Sequence, residues 1–342
     1  MRKLKMLEAL REALKQEMER DPGVFILGED VRIGGGFGVT RGLVDLFGKE
    51  RVLDMPVSET GFSGLAIGAA MSGMRPVVEY QFGDFIFCAM DQIVNEAAKF
   101  RYMSAGQVSV SVTFRLPVGA NRRGAQHAQC TESIFMNVAG LLIVTPSCPY
   151  DAKGLLVGAI RNENPVLFYE HKLLYGFSGG EGGLSTLSSN VPLEPYEVPF
   201  GVAVIRREGK HITVVSNMLM LHRCLLAAEE LEKGKGISVE VIDPRTLRPL
   251  DINTIANSVE KTGRLLVVQE SQPAGSWGNE VIAGVMERVK VNVVIRRVGT
   301  ASTPVPYATT LEDSVIPGVE RIKEEILKTV RENQIYGTRI RI

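Results

Sequence analysis

Short, almost uninterrupted apolar runs recur along the chain: VFILGED (24–30), RPVVEYQF (75–82), VSVSVTFRLP (108–117), GLLIVTPS (140–147) and PVLFYEH (165–171), then ITVVSN (212–217), SVEVIDPR (238–245), RLLVVQES (264–271) and NVVIRRVG (292–299). Between them, most clearly in the second half, apolar residues recur every three or four positions, as in CLLAAEELEKG, DINTIANSVEK, NEVIAGVMERV and VERIKEEILKTV. Runs apolar on both faces predict strands covered on both faces, and the alternating helical stretches supply the cover. The expected fold class is therefore α/β, with two tandem domains of largely parallel sheets flanked by helices. The break falls in GFSGGEGGLSTLSSNVPLEPYEVPFG (176–201), which is rich in Gly, Ser and Pro and has little periodicity. The expected units are residues 1–185, a linker at 186–200, and 201–335. In such sheets ligands sit beyond the carboxyl ends of the strands, so the candidate chemistry is sought there.

The first segment, MRKLKMLEALREALKQEMERDPG, begins with basic residues, but Leu7, Leu10, Leu14 and Met18 recur at helical spacing among acidic ones. That pattern predicts a domain helix, not a signal or transit segment. A length of 342 residues suits two domains, and 45% hydrophobic residues supply their cores. Lys+Arg and Asp+Glu balance at 39 each, and no basic block is interleaved with aromatics, so neither nucleic acid nor a membrane surface is an expected partner. No run approaches the roughly 18 to 20 apolar residues that cross a bilayer. Cys88, Cys130, Cys148 and Cys224 lack any close-pair spacing, which argues against zinc or a disulfide framework and fits a cytoplasmic location.

Three stretches carry candidate chemistry. GEDVRIGGGFGVTRGL (28–43) follows a strand but has neither a P-loop Lys–Ser/Thr nor the dinucleotide glycine spacing, so it reads as a surface loop. VSETGFSGLAIGAAMSGMRPVVEY (57–80) places Glu59 at the head of a run of Gly, Ala and Ser. Residues this small let another backbone approach closely, which suits a helix inside an interface; Glu59 is then either an acidic N-terminal cap or a functional carboxylate. FRLPVGANRRGAQHAQCTES (114–133) leaves a strand with His127 on a loop, placed to transfer protons or simply a loop histidine. No nucleophile elbow is present, and His171, His211 and His222 show no metal spacing.

Taken in order, GEDV, GVTRGL, FGKERVLDMPVSETGFSGLAIGAAMSGMRPVVEYQF, DQIVNEAAKFRYMS, AQHAQ, VTPSCPYDAKGLLVGAIRNENPVLFYEHKLLYG, VIDPRTLRPLD, KTGRLLVVQES and PVPYATTLE resemble the β subunit of the thiamine-diphosphate-dependent 2-oxo acid dehydrogenases, from about residue 4 to about 330. That resemblance implies a pyrimidine-binding domain followed by a transketolase C-terminal-like domain. It implies that Glu59 reaches the aminopyrimidine ring of thiamine diphosphate across a subunit interface. There the ring nitrogen must share a proton before the exocyclic amine acts as a base, and loss of solvation should raise the glutamate's pKa. By the same likeness Gln81 and Phe85 line the cofactor and substrate pocket, and His127 serves proton transfer during acyl transfer to a lipoyl arm. Ala128 stands where the family most often has Ser. A structural potassium ion is implied at Val112, Ala159, Ile160, Asn162 and Asn164, with Asn162 replacing the usual aspartate and weakening a hard-cation site.

The Gly-Asp-Gly…Asn segment that holds magnesium and diphosphate is missing, because Gly83-Asp84 runs into Phe85. The resemblance therefore implies an α subunit that supplies the magnesium half of the site in an α2β2 assembly, a dihydrolipoyl acyltransferase core as docking partner, and a 2-oxo acid substrate. Gly275-Ser276-Trp277-Gly278 replaces the usual Gly-Gly-Phe-Gly near the core joint. Acetoin dehydrogenase, half of a split transketolase-like enzyme and a non-catalytic interface subunit are the alternatives. RENQIYGTRIRI (331–342) lies beyond the resemblance.

Overall fold

The computed structural model describes residues 2–176 and 189–332. Parts of the expected linker and the ends of both expected units, 177–188 and 333–335, lie outside the described residues, as does most of the terminal stretch after 331. The strands are β1 (Arg2–Lys3), β2 (Val24–Gly28), β3 (Val52–Asp54), β4 (Arg75–Glu79), β5 (Thr113–Val118), β6 (Leu142–Val144), β7 (Val166–His171), β8 (Asn190–Val191), β9 (Val204–Arg207), β10 (Ile212–Ser216), β11 (Val239–Asp243), β12 (Thr246–Arg248), β13 (Arg264–Val268) and β14 (Val294–Val298). Seven of them form one sheet in the order β12-β6-β7-β5-β4-β2-β3, and five form a second in the order β14-β13-β10-β11-β9. Pairing is parallel except at one edge of each sheet, where β12 lies antiparallel to β6 and β9 antiparallel to β11. β9 and β12 are short and carry arginines, so they lack the long apolar signature that marks an interior strand.

Apolar spacing explains the covering helices. In the Met6–Arg20 helix Met6, Leu10, Leu14 and Met18 are buried on one stripe, while Leu7 lies at its margin. That helix packs on the Pro149–Arg161 helix, which is buried on almost every face. Among the described residues no helix is long and apolar enough to cross a membrane.

The two sheets are not sealed from each other. One continuous core runs from Met6 and Ile26 through Leu167 to Ile242, Leu247, Val267 and Trp277. Across the joint, Asp151 on the Pro149–Arg161 helix pairs with Arg206 and Arg245, and Arg206 also pairs with Asp243 at 2.8 Å.

Three of the apolar runs carry a buried charge at the centre of the first sheet. Arg115 on β5 is fully buried; it pairs with Glu79 of β4 and makes a two-pronged contact at 2.7 Å with Glu170 of β7. Tyr175 donates its hydroxyl to Glu170 at 2.8 Å. Replacing Arg115 with Met leaves two carboxylates buried without their partner, so urea unfolding should show a loss of roughly 3–5 kcal/mol; a loss under about 1 kcal/mol would mean that water or another cation takes over.

Candidate active site

The carboxyl ends of β2, β3, β4 and β5 lie side by side in the sheet, and the segments leaving them bring most of the candidates to one end. Ser58, not Glu59, caps the Glu59–Met71 helix, its hydroxyl accepting from the Gly61 N–H at 3.3 Å. Glu59 is the first helical residue and is 9% exposed. Among the described residues no donor hydrogen-bonds to its carboxylate. Beside it lies Glu29, which leaves β2 equally buried and escaped the sequence reading. Burial pushes the Glu29 carboxyl up, and the charges of Glu59 and Asp30 push it further. GEDV carried that signal, but nothing in the motif told which of its acids turns inward.

Asp30 adopts a left-handed backbone, φ +56°, and accepts from the Gln81 side chain at 3.0 Å. Gln81 leads into Phe82 and Phe85, whose rings meet at 5.6 Å and bracket the imidazole of His127 edge-on at 4.6 and 5.5 Å. A contiguous line thus runs from Glu59 and Glu29 through Asp30 and Gln81 to Phe82, Phe85 and His127.

The glycine-rich loop closes this end from the side. Gly35, φ +68°, lies against Glu79, and a Cβ there would collide with the carboxylate, which also accepts from the Gly36 N–H. The loop's amide is spent on a protein carboxylate, which accounts for its glycines without a phosphate.

The loop around His127 is fastened at several points. Asp84 accepts from the Gln129 backbone at 3.1 Å and from its side chain at 2.9 Å, Lys172 donates to the His127 carbonyl at 2.7 Å, and Glu270 accepts from the Ala120 N–H at 2.6 Å. Arg122, φ +66°, is held by Glu312 and Asp313. Glu270 also meets Nε2 of His171 at 2.9 Å; burial works against its charge, but His171 and the Ala120 N–H keep its pKa low. Ala128 turns into the second core cluster, 1% exposed, so a serine there would bury its hydroxyl. Asp84, Lys172 and Glu270 gave no sequence signal, because each acts through a backbone group distant along the chain.

The five residues expected around potassium come together where the Pro149–Arg161 helix ends against β5, and their oxygens already accept hydrogen bonds. Arg75 donates to the carbonyls of Ile160 at 3.1 Å and Asn162 at 3.2 Å. The Ala159 and Val112 carbonyls accept backbone N–H groups, the Asn162 side-chain oxygen accepts from Asn164, and that of Asn164 accepts from Arg101. A guanidinium already donates to two of these carbonyls, and none of the five residues supplies a carboxylate.

Just past the loop, Glu132 is buried, and one of its oxygens has no hydrogen-bond partner among the described residues. Burial first, and then the charge of Glu270, push it up to about 7. A raised carboxyl favours the folded state when protonated, so its contribution is full below the unfolded value near 4 and is lost as pH rises through about 7. Glu132→Gln should therefore leave the urea midpoint nearly unchanged at pH 3, stabilise the chain by about 1 kcal/mol at pH 5 and by about 3 kcal/mol at pH 8.5; equal effects at all three pH values would refute the assignment.

Residues 2–178 match the family described as transketolase, pyrimidine binding domain, and residues 201–322 match transketolase, C-terminal domain. The chain is 44% identical to the β subunit of acetoin:2,6-dichlorophenolindophenol oxidoreductase of Cupriavidus necator, over 96% of this chain and 98% of that one. It is 46% identical to the β subunit of 2-oxoisovalerate dehydrogenase of Bacillus subtilis, over 93% and 95%. It is 44% identical to the mitochondrial pyruvate dehydrogenase E1 component subunit beta-2 of Oryza sativa subsp. japonica, over 92% and 83%. Among solved structures, a split gene transketolase in an inactive β4 tetramer superposes with a TM-score of 0.77 over 96% of this chain and 99% of its own, at 20% identity, a likeness of fold.

Proposed function

The chain belongs to the family of β subunits of 2-oxo acid and acetoin dehydrogenases, and on that premise we propose that it forms half of a thiamine-diphosphate site completed by an α subunit. The observation that carries this reading is Glu59: a largely buried carboxylate with no donor among the described residues, at the head of a helix whose other face is open. Gly61, Gly64 and Gly68 lie on that open face; a Cβ on Gly68 would meet nothing within 4 Å, and one on Gly64 only Gln92 at 3.9 Å. The chain's own packing does not require glycine at 64 or 68, whereas a second backbone laid close over them would.

The bound cofactor supplies an electron sink for the bond cleavage. Glu59 holds the proton at the pyrimidine ring nitrogen, with the raised Glu29 beside it as a second proton-sharing group. Gln81 and Phe85 flank the ring and the substrate. In the overall reaction the bond between the carboxylate and the 2-oxo carbon breaks and carbon dioxide leaves. The electron pair left behind reduces a lipoyl disulfide; one sulfur takes the acyl group, and the other takes a proton for which His127 is the candidate donor. Magnesium and the diphosphate belong to the α subunit in an α2β2 assembly, and the acyltransferase core receives the acyl group. Free thiols at all four cysteines suit a reducing cytoplasm. Acetoin is the second reading for the substrate, favoured by the Cupriavidus relative's identity over nearly its whole length.

Reconstituted with its α partner, the Glu59→Gln chain should assemble normally and lose more than a hundredfold in decarboxylation with an artificial electron acceptor. Loss of assembly in equal measure would make Glu59 a structural residue of the interface instead. Pyruvate, 3-methyl-2-oxobutanoate and acetoin assayed side by side on the wild-type pair should show one clear preference; equal rates on all three would refute a narrow substrate class.

A further inference from the structure

Among the described residues no hydrogen bond reaches either ring nitrogen of His127, so nothing polar aims its side chain. The ring is bracketed by the edges of Phe82 and Phe85; the backbone donates its N–H to the Gly124 carbonyl at 3.2 Å and accepts the Lys172 ammonium on its own carbonyl. Lys172 follows β7, is 5% exposed, and also stands over the Phe82 ring with its nitrogen 5.3 Å from the centroid. One ammonium therefore touches both the histidine's backbone and one of the rings that brackets its side chain.

We infer that Lys172 is the positioning residue for His127, and that its protonated form is required for the acyl-transfer step but not for decarboxylation. The inference rests on the role proposed for His127 above. Burial acts most strongly on the ammonium and lowers it to about 8; Asp84 from the 83–89 segment, Cys130 from the loop, Glu270 after β13 and Glu312 from the Thr309–Val315 helix oppose the fall. Deprotonation leaves a neutral amine, a far weaker donor to the carbonyl and no longer a cation over the Phe82 ring. Acyl transfer should then decline as pH rises through about 8, while the dye-linked half-reaction follows a different profile.

The test uses the complex of this chain with its α partner, loaded with thiamine diphosphate and magnesium. Two reactions are compared from pH 6.5 to 9.5: reduction of 2,6-dichlorophenolindophenol, and acyl transfer to a lipoylated domain. Lys172→Met should lower transfer at least tenfold at pH 7 and abolish its alkaline limb, with dye reduction within twofold of wild type. Lys172→Arg should keep transfer and move the limb to higher pH. Equal loss of both reactions in Lys172→Met, or a wild-type alkaline limb that survives it, overturns the inference. A second readout needs no turnover: in the full-length chain labelled with 13C-histidine, the aromatic rings should give His127 ring-current-shifted resonances. That shift should collapse above pH 8 in wild type, be absent in Lys172→Met and persist in Lys172→Arg; a shift indifferent to residue 172 is fatal to the idea. If the wild-type complex reduces no dye, the proposed function fails, and these resonances still decide whether Lys172 places the histidine.

Discussion

The arrangement depends on one cation in the middle of a sheet. Arg115 has no water to satisfy it, so it draws Glu79 from β4 and Glu170 from β7 into fixed positions. Each carboxylate then holds something else: Glu79 the glycine-rich loop at Gly36, Glu170 the hydroxyl of Tyr175, whose ring lies 5.4 Å from that of Phe37 in the same loop. The residues immediately after β4 and β7 are those that flank His127. The charge network at the sheet's centre is thus the frame on which the candidate site hangs, and its cost in desolvation is offset only because every partner is in place.

Periodicity made the architecture legible and hid this network. RPVVEYQF, VSVSVTFRLP and PVLFYEH read as interior strands because apolar residues dominate them, and interior strands they are. Glu79, Arg115 and Glu170 sit among those residues without any spacing that links them, since their contact runs across strands and not along one. The same holds for Asp84 and Lys172, which are forty-five positions from the backbone groups they hold. Glu59 and His127 were visible because their neighbours in sequence are unusual: a field of small residues around one, a polar loop around the other. Glu29 was hidden in plain view, one acid of a pair.

Glu59 also shows how a helix start can serve two ends. Ser58 takes the capping duty, which frees the carboxylate one position later from any local bond. Had Glu59 been the cap, its oxygens would be committed to the helix's own N–H groups and unable to engage a ring nitrogen. Spacing alone could not tell whether Glu59 is the cap; the hydroxyl one residue upstream shows that it is not.

β12 returns from the second half of the chain to complete the first sheet beside β6. During synthesis, β6 emerges about a hundred residues before β12, an interval of roughly 5–20 s at ordinary elongation rates. Throughout that time the first sheet has an unfinished border with free backbone N–H and C=O groups. A nascent chain caught there can be completed by its own later strand or captured by another chain's, so the order in which this protein is made bears on its folding alongside its final energy.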